Sequence, residues 1–277
     1  MKNEVMKTIK NRIPAFAGIT MLLCIALPAH AAPASVYIEE LTWMEVQDRI
    51  KAGAGIAIVP TGGTEQNGPH MITGRQDVIV HYTAGEIARK LGNALVAPVI
   101  SYVPAGRIYP PEGHMQFPGT LSVSDRTFAR LLEDAARSLK QNGFHLICFI
   151  GESGGSQAIQ KKVADKLTDE WGPDGVKVLQ VSDYYSKNGQ EEWTDKKEIK
   201  TAHPKAHAGL IETSEMMAID AGGVRDTLRG DHSERDYKTT GAMGDSSLAS
   251  AKYGLRYLGL KIDTAVKQIE NASSHAQ

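Results

Sequence analysis

Cysteine is nearly absent from this chain: Cys24 and Cys148 are the only two in 277 residues. Cys24 falls in a leader-like segment, so a processed chain would keep Cys148 alone and could form no internal disulfide. Its stability must then come from a core or from assembly. Cys148 sits inside the apolar run "HLICFI", which predicts a buried, unreactive thiol. Long apolar runs are missing as well. The stretch from Phe16 to Leu27 is well short of the ~20 residues a membrane span needs. An excess of basic charge is also lacking, with a formal net charge of −1, which argues against a nucleic-acid partner because phosphate binding rests on concentrated Lys and Arg. No long repeat is visible, and low complexity is confined to the tail "NASSHAQ".

What is present begins with a leader. Lys2, Lys7, Lys10 and Arg12 precede the Phe16–Leu27 run, and Ala29-His30-Ala31 supplies an A-x-A cleavage signal. The pattern predicts a cleaved signal peptide over 1–31, a single mature domain over 32–277, and export to the periplasm or the medium. Removal takes away four basic side chains and one acidic, moves the net charge from −1 to −4, and leaves 246 residues. That length suits one α/β domain with a full core. The mature chain should have no membrane attachment.

Apolar runs and helical patterns then alternate. "GIAIVP" (55–60), "ALVAPVI" (94–100), "HLICFI" (145–150) and "VKVLQVSDY" (176–184) read as strands. Between them, Thr42 and Glu45 form a capping box for a helix to Lys51, and a helical pattern runs from Asp77 to Leu91. Ser124 caps a helix that ends at Asn142-Gly143, and a further helix covers 156–171. The last element is a helix-prone stretch over 246–271, interrupted by Gly254 and Gly259. This alternation predicts an α/β fold with a mostly parallel sheet covered on both faces. In such a fold, sites form at the carboxyl ends of strands.

Three polar loops occupy those ends. "PTGGTEQNGPHMITGRQD" (60–77) gathers Glu65, Gln66, Asn67, His70 and Asp77, a group suited to a divalent metal. "GHMQFPGT" (113–120) carries His114, and "GESGG" (151–155) follows the third strand. Read literally, the last is G-x-S-x-G, a turn that exposes a nucleophilic serine. Later, "HAGLIETSE" (207–215) brings His207, Glu212 and Glu215 together. "EEWTDKKEIK" (191–200) reads as a solvated surface segment, with Trp193 free to reach a neighbouring subunit.

Four stretches in this order, "GGTEQNGPHM", "HMQFPGTLSV", "GESGGS" and "HAGLIETS", resemble the creatininase family. The resemblance implies a three-layer α/β/α sandwich, often a homohexamer, and a site of one or two metals (zinc, manganese or iron) that hydrolyses a cyclic or linear amide. Asn67 stands where the family has a histidine, and so does Ser153. The family's aspartate ligand reaches Asp77 only with one residue inserted, while Glu65 and Glu212 match. The resemblance thus implies one ion held by Glu65, His70, Asp77 and Glu212, with Glu152, His114 or Ser153 in catalysis. The favoured function is an exported metal-dependent amidohydrolase acting on a C–N bond of a small molecule, with a related lactone as the other substrate class. A catalytically inactive binding protein and a serine hydrolase built on Ser153, Asp183 and one of His203, His207 or His232 are the alternatives.

Overall fold

Ile56–Thr61 (β1) and Leu146–Gly151 (β3) are buried at every position, as strands covered on both faces must be. The computed structural model describes residues 35–201, 203–231 and 237–274; the leader expected over 1–31 lies outside them. β1 and β3 pair in parallel from Ile56–Leu146 to Thr61–Gly151. Ala94–Val96 (β2) flanks β1, and Lys177–Gln180 (β4) flanks β3, giving a parallel sheet in the order β2-β1-β3-β4.

Alternate residues feed two cores. Ile56, Ile58, Leu146, Cys148 and Ile150 pack with Ile87 of α2 (Arg75–Leu91) and with Leu258, Ile262 and Ile269. Ala57, Val59, Ile147 and Phe149 pack with Phe128 and Leu132 of α3 (Asp125–Asn142) and Leu167 of α4 (Gly154–Trp171). Val46 and Ile50 of α1 (Trp43–Lys51) join that second face. The result is the expected α/β/α sandwich. Each fully buried Leu, Ile or Phe contributes about 1.5–3 kcal/mol. The Cys148 thiol is buried, and burial pushes its pKa upward.

Local signals act where the sequence places them. Thr42 and Glu45 complete the capping box of α1, Ser124 accepts the Thr127 N–H, and Gly143 closes α3 at φ 104°. Other boundaries differ. β2 stops at Val96 because Pro98, two residues on, has no N–H for the ladder. Beyond Gln180 the chain leaves the sheet and turns into α5 (Ser182–Tyr185), which buries Tyr184. The charged stretch after it forms α6 (Gln190–Lys196) and keeps Glu191, Glu192, Asp195 and Lys196 exposed, the solvated surface that its charges predict. Trp193 packs edge-on against Tyr253 and Tyr257 of its own chain, with ring centroids 5.8 and 5.2 Å away.

Beyond α7 (Leu210–Ile219) and the short α8 (Tyr237–Thr240), α9 runs unbroken over Ala251–Ser274. Gly254 does not interrupt it. A Cβ there would stand 1.8 Å from the Ser214 carbonyl oxygen, so this glycine is what lets α9 lie against α7. Lys261, seven residues on and therefore on the same helix face, is carried into the interior at 5% exposure. Among the described residues, no helix is long and apolar enough to cross a membrane.

Candidate active site

β1 has β2 on one side and β3 on the other, so the chain order reverses beside it and opens a crevice at the carboxyl ends. Residues 62–74 follow β1 at that end, and Glu152 directly follows β3. α2 begins at Arg75, two residues before the expected Asp77, and this offset decides which side chains face the crevice. Gln76 Nε2 donates to Glu65 Oε1. Asp77 turns the other way, where its Oδ1 accepts the Gly63 N–H at 2.9 Å.

Arg75 is the centre of the arrangement. Its guanidinium is 1% exposed. Nε donates to Asn67 Oδ1 at 2.8 Å, Nη2 lies 3.2 Å from Glu212 Oε1, and Nη1 lies 3.9 Å from Glu152 Oε2. Asn67 Nδ2 in turn donates to the Glu65 carbonyl oxygen at 2.9 Å and to Gln76 Oε1 at 3.2 Å. Burial alone would lower the Arg75 pKa, but Glu212, Glu152, Glu65 and Glu215 together raise it above the ordinary value.

A second buried cation stands beside the first. Lys261 Nζ donates to Glu152 Oε1 at 2.9 Å and to Glu215 Oε2 at 3.1 Å. Those two carboxylates outweigh burial and raise the lysine's pKa. Tyr184 donates its hydroxyl to the same Glu152 oxygen, and Gln190 Nε2 donates to Glu215 Oε1 at 2.6 Å. Glu152, Glu212, Glu215, Lys205 and Lys261 line a cavity of about 30 Å³, room for roughly one water.

Two imidazoles complete the crevice. His114 comes from the short turn Gly113–Gln116, and His207 precedes α7; their ring centroids are 4.6 Å apart. His207 Nε2 lies 3.0 Å from the Gln66 carbonyl oxygen. That oxygen can only accept, so Nε2 carries the proton and Nδ1 keeps a lone pair, 3.8 Å from Glu212 Oε2. Gln66 Nε2 lies 2.7 Å from His114 Nδ1. Gln66 Oε1 accepts the Gly68 N–H at 3.0 Å, which turns the Nε2 donor to His114 and makes Nδ1 the acceptor. Burial lowers both histidines, His114 from 6.5 to about 4 with help from His207, and His207 with help from Arg75. Burial also raises Glu65 from 4.5 to about 7, against the pull of Arg75. Glu212 is lowered: Arg75 and His207 outweigh its burial.

Glu65, His114 and His207 offer ligand atoms that all lie within 4.8 Å of one another. A carboxylate with two neutral imidazoles suits zinc or manganese, and burial keeps both rings in the neutral form that ligation needs. The structure therefore gathers the candidates selectively. Glu65, His114, Glu152 and Glu212 converge on the crevice. His70 does not join them; its Nε2 lies 2.9 Å from Thr213 Oγ1. Asp77 is held by Gly63.

Ser153 precedes α4, and its carbonyl accepts from Ser156 Oγ and Gln157 Nε2. Asp183 accepts from Ser182 and lines a surface groove with Asp263 and Lys267, away from any described histidine. His232 lies outside the described residues. The residues that sequence reasoning passed over are Arg75, Gln76, Lys261 and, as a ligand, His207. Two of these carried a signal. A basic side chain in the first turn of α2 opposes the helix dipole and needs carboxylates to hold it. Lys261 falls on the apolar stripe of α9 with Leu258, Ile262 and Ala265.

Comparisons with known proteins bear on this geometry. Residues 39–269 match the creatininase family, described as creatinine amidohydrolase. A creatinine amidohydrolase from Pseudomonas putida is 28% identical over 198 residues, covering 67% of this chain and 72% of that protein. A mycofactocin precursor peptide peptidase from Mycolicibacterium smegmatis is 30% identical over 114 residues, 39% of this chain and 44% of its own. A solved manganese creatininase superposes with a TM-score of 0.71 at 23% identity, covering 86% of this chain and 99% of that one, which shows the shared fold. With the family matched over most of its length and the sheet, crevice and carboxylates in place, the chain belongs to the creatininase family of amidohydrolases.

Proposed function

We propose that this protein is a metal-dependent amidohydrolase that cleaves a C–N bond of a small cyclic or linear amide, with one divalent ion held by Glu65, His114 and His207. The observation that carries the reading is the convergence of those three ligand groups within 4.8 Å in a creatininase fold. When bound, such an ion lowers the pKa of a water molecule and polarises the amide carbonyl. The rest falls to the chain. Gln66 holds the His114 ring by its side chain and the His207 ring by its carbonyl oxygen. Glu212, fixed by Arg75 and by the Ala208 N–H at 2.8 Å, sets a carboxylate 3.8 Å from His207 Nδ1 and adds negative charge beside that ring. Phe117 and Tyr237 stack edge-on at 5.6 Å beside His114, forming an aromatic wall that narrows access for water. Glu152 is occupied by Lys261 and Tyr184 and serves the charge balance of the crevice floor.

Export with loss of residues 1–31 and assembly as a homo-oligomer belong to the same proposal. The leader pattern supports the first, and the family resemblance supports the second. The test is a panel of small cyclic amides, linear amides and lactones, offered to chelator-stripped protein before and after reloading with Mn²⁺ or Zn²⁺. The expected result is turnover only after reloading, reduced roughly 100-fold or more in His207→Ala. Turnover that persists in chelator would contradict the reading, as would no turnover on the whole panel by an ion-loaded chain.

A further inference from the structure

Glu152 and Glu212 come from separate segments and face one point, and Glu65 is near enough for its charge to act there. In a fold whose solved relatives include a manganese form, that point is where a cation belongs. It is filled by the Arg75 guanidinium, which touches Asn67 and Glu212 and faces Glu152. We propose that Arg75 is a built-in cation that replaces a metal ion in the carboxylate cluster, leaving only the neighbouring Glu65–His114–His207 group open to an exchangeable one.

Three observations carry this. Asn67, standing where the resemblance expects an imidazole ligand, turns its carbonyl oxygen to the guanidinium, and its amide donates back to Gln76 and to the Glu65 main chain. The loop is thus built around Arg75. Gln76 Nε2 donates to Glu65 Oε1, the oxygen 3.9 Å from His114 Nε2, so an uncharged donor and not a second cation shares that carboxylate. Finally, the charges are already matched. Lys261 bridges Glu152 and Glu215 while Arg75 lies between Glu152 and Glu212, so an added divalent ion would meet a fixed positive group at contact distance. Arg75 Nη1 has no hydrogen-bond partner. On that side it meets Glu152 at 3.9 Å through charge alone, while Nε keeps its hydrogen bond to Asn67. Arg75 acts as a positioning residue: it sets Glu212, which in turn faces His207. The inference stands apart from the proposed hydrolysis and holds whatever binds at His114 and His207.

The experiment counts metal by native mass spectrometry on the full chain, stripped with chelator and reloaded with Mn²⁺, for wild type, Arg75→Gln and Arg75→Lys. Arg75→Gln is expected to carry one ion more than wild type, and Arg75→Lys no more than wild type. The extra ion should vanish in Arg75→Gln/Glu212→Gln. An Arg75→Gln chain recovered only with Mn²⁺ present supports the proposal. A chain recovered in neither condition overturns it, as does one that gains no ion or one whose extra ion survives the Glu212 substitution. A wild type that binds no ion would instead count against the functional reading and leave this difference to be measured.

Discussion

Arg75 Nη2 lies 3.2 Å from Glu212 Oε1, and the other oxygen of the same carboxylate faces His207 Nδ1 at 3.8 Å. One side chain thus links a permanent buried cation to an imidazole of the candidate ion site. Removing its charge should unbalance the guanidinium without emptying much volume. Breaking one partner of a buried pair costs about 3–5 kcal/mol. Glu212→Gln is therefore expected to lower the melting temperature by roughly 10 °C, measured by scanning calorimetry in chelator. A change of only a degree or two would mean that Arg75 is held by other contacts.

Lys261 supplies the second test of the charge balance. Lys261→Met keeps most of the side chain's volume but leaves Glu152 and Glu215 facing each other without their shared cation. The expected loss is again about 3–5 kcal/mol in urea denaturation. The double variant Lys261→Met/Glu215→Gln should recover part of it, because one of the two uncompensated charges is gone.

Stability against pH should expose the Glu65–His114 pair. Glu65 titrates at about 7 when folded, against an ordinary 4.5. Its contribution is full below pH 4.5 and is lost as pH rises through 7. His114 titrates at about 4 when folded, against 6.5, so its contribution is full above pH 6.5 and is lost as pH falls through 4. Between pH 4.5 and 6.5 the two slopes oppose each other. Relative to wild type in chelator, Glu65→Gln should become more stable as pH rises across that window, and His114→Gln less stable. Each divergence should approach about 3 kcal/mol over the two units. Parallel profiles for all three chains would contradict the assignment.

Much of this was legible in the sequence. The strands and helices follow from apolar runs and caps, because each buries a face that its own residues define. Lys261 was legible too, once the stripe of α9 is drawn through Leu258, Ile262 and Ala265. The pairing of His114 with His207 was not, since it depends on two loops meeting over the crevice. The choice of Gln76 over Asp77 was equally hidden. It turns on α2 starting at Arg75, and a shift of one residue on a helix rotates a side chain by about 100°. "GESGG" misleads for a related reason: the local pattern of an elbow is present, but a nucleophile is made by a base that the local pattern does not contain.

Ser153→Ala is accordingly expected to leave hydrolysis within about twofold of wild type, and a fluorophosphonate should label neither chain. No described imidazole is hydrogen-bonded to Ser153, and a serine without a positioned base is a weak nucleophile. Labelling that disappears in Ser153→Ala would restore the serine-hydrolase reading.

The exchangeable cation belongs among Glu65, His114 and His207. Crystals grown with Mn²⁺ or Zn²⁺ and measured at the metal's absorption edge give its position directly. A single anomalous peak is expected among Glu65, His114 and His207, with the Arg75 guanidinium still on Asn67 and Glu212. A peak among Glu65, Asp77 and Glu212 with Arg75 displaced, or two peaks in the crevice, would contradict it.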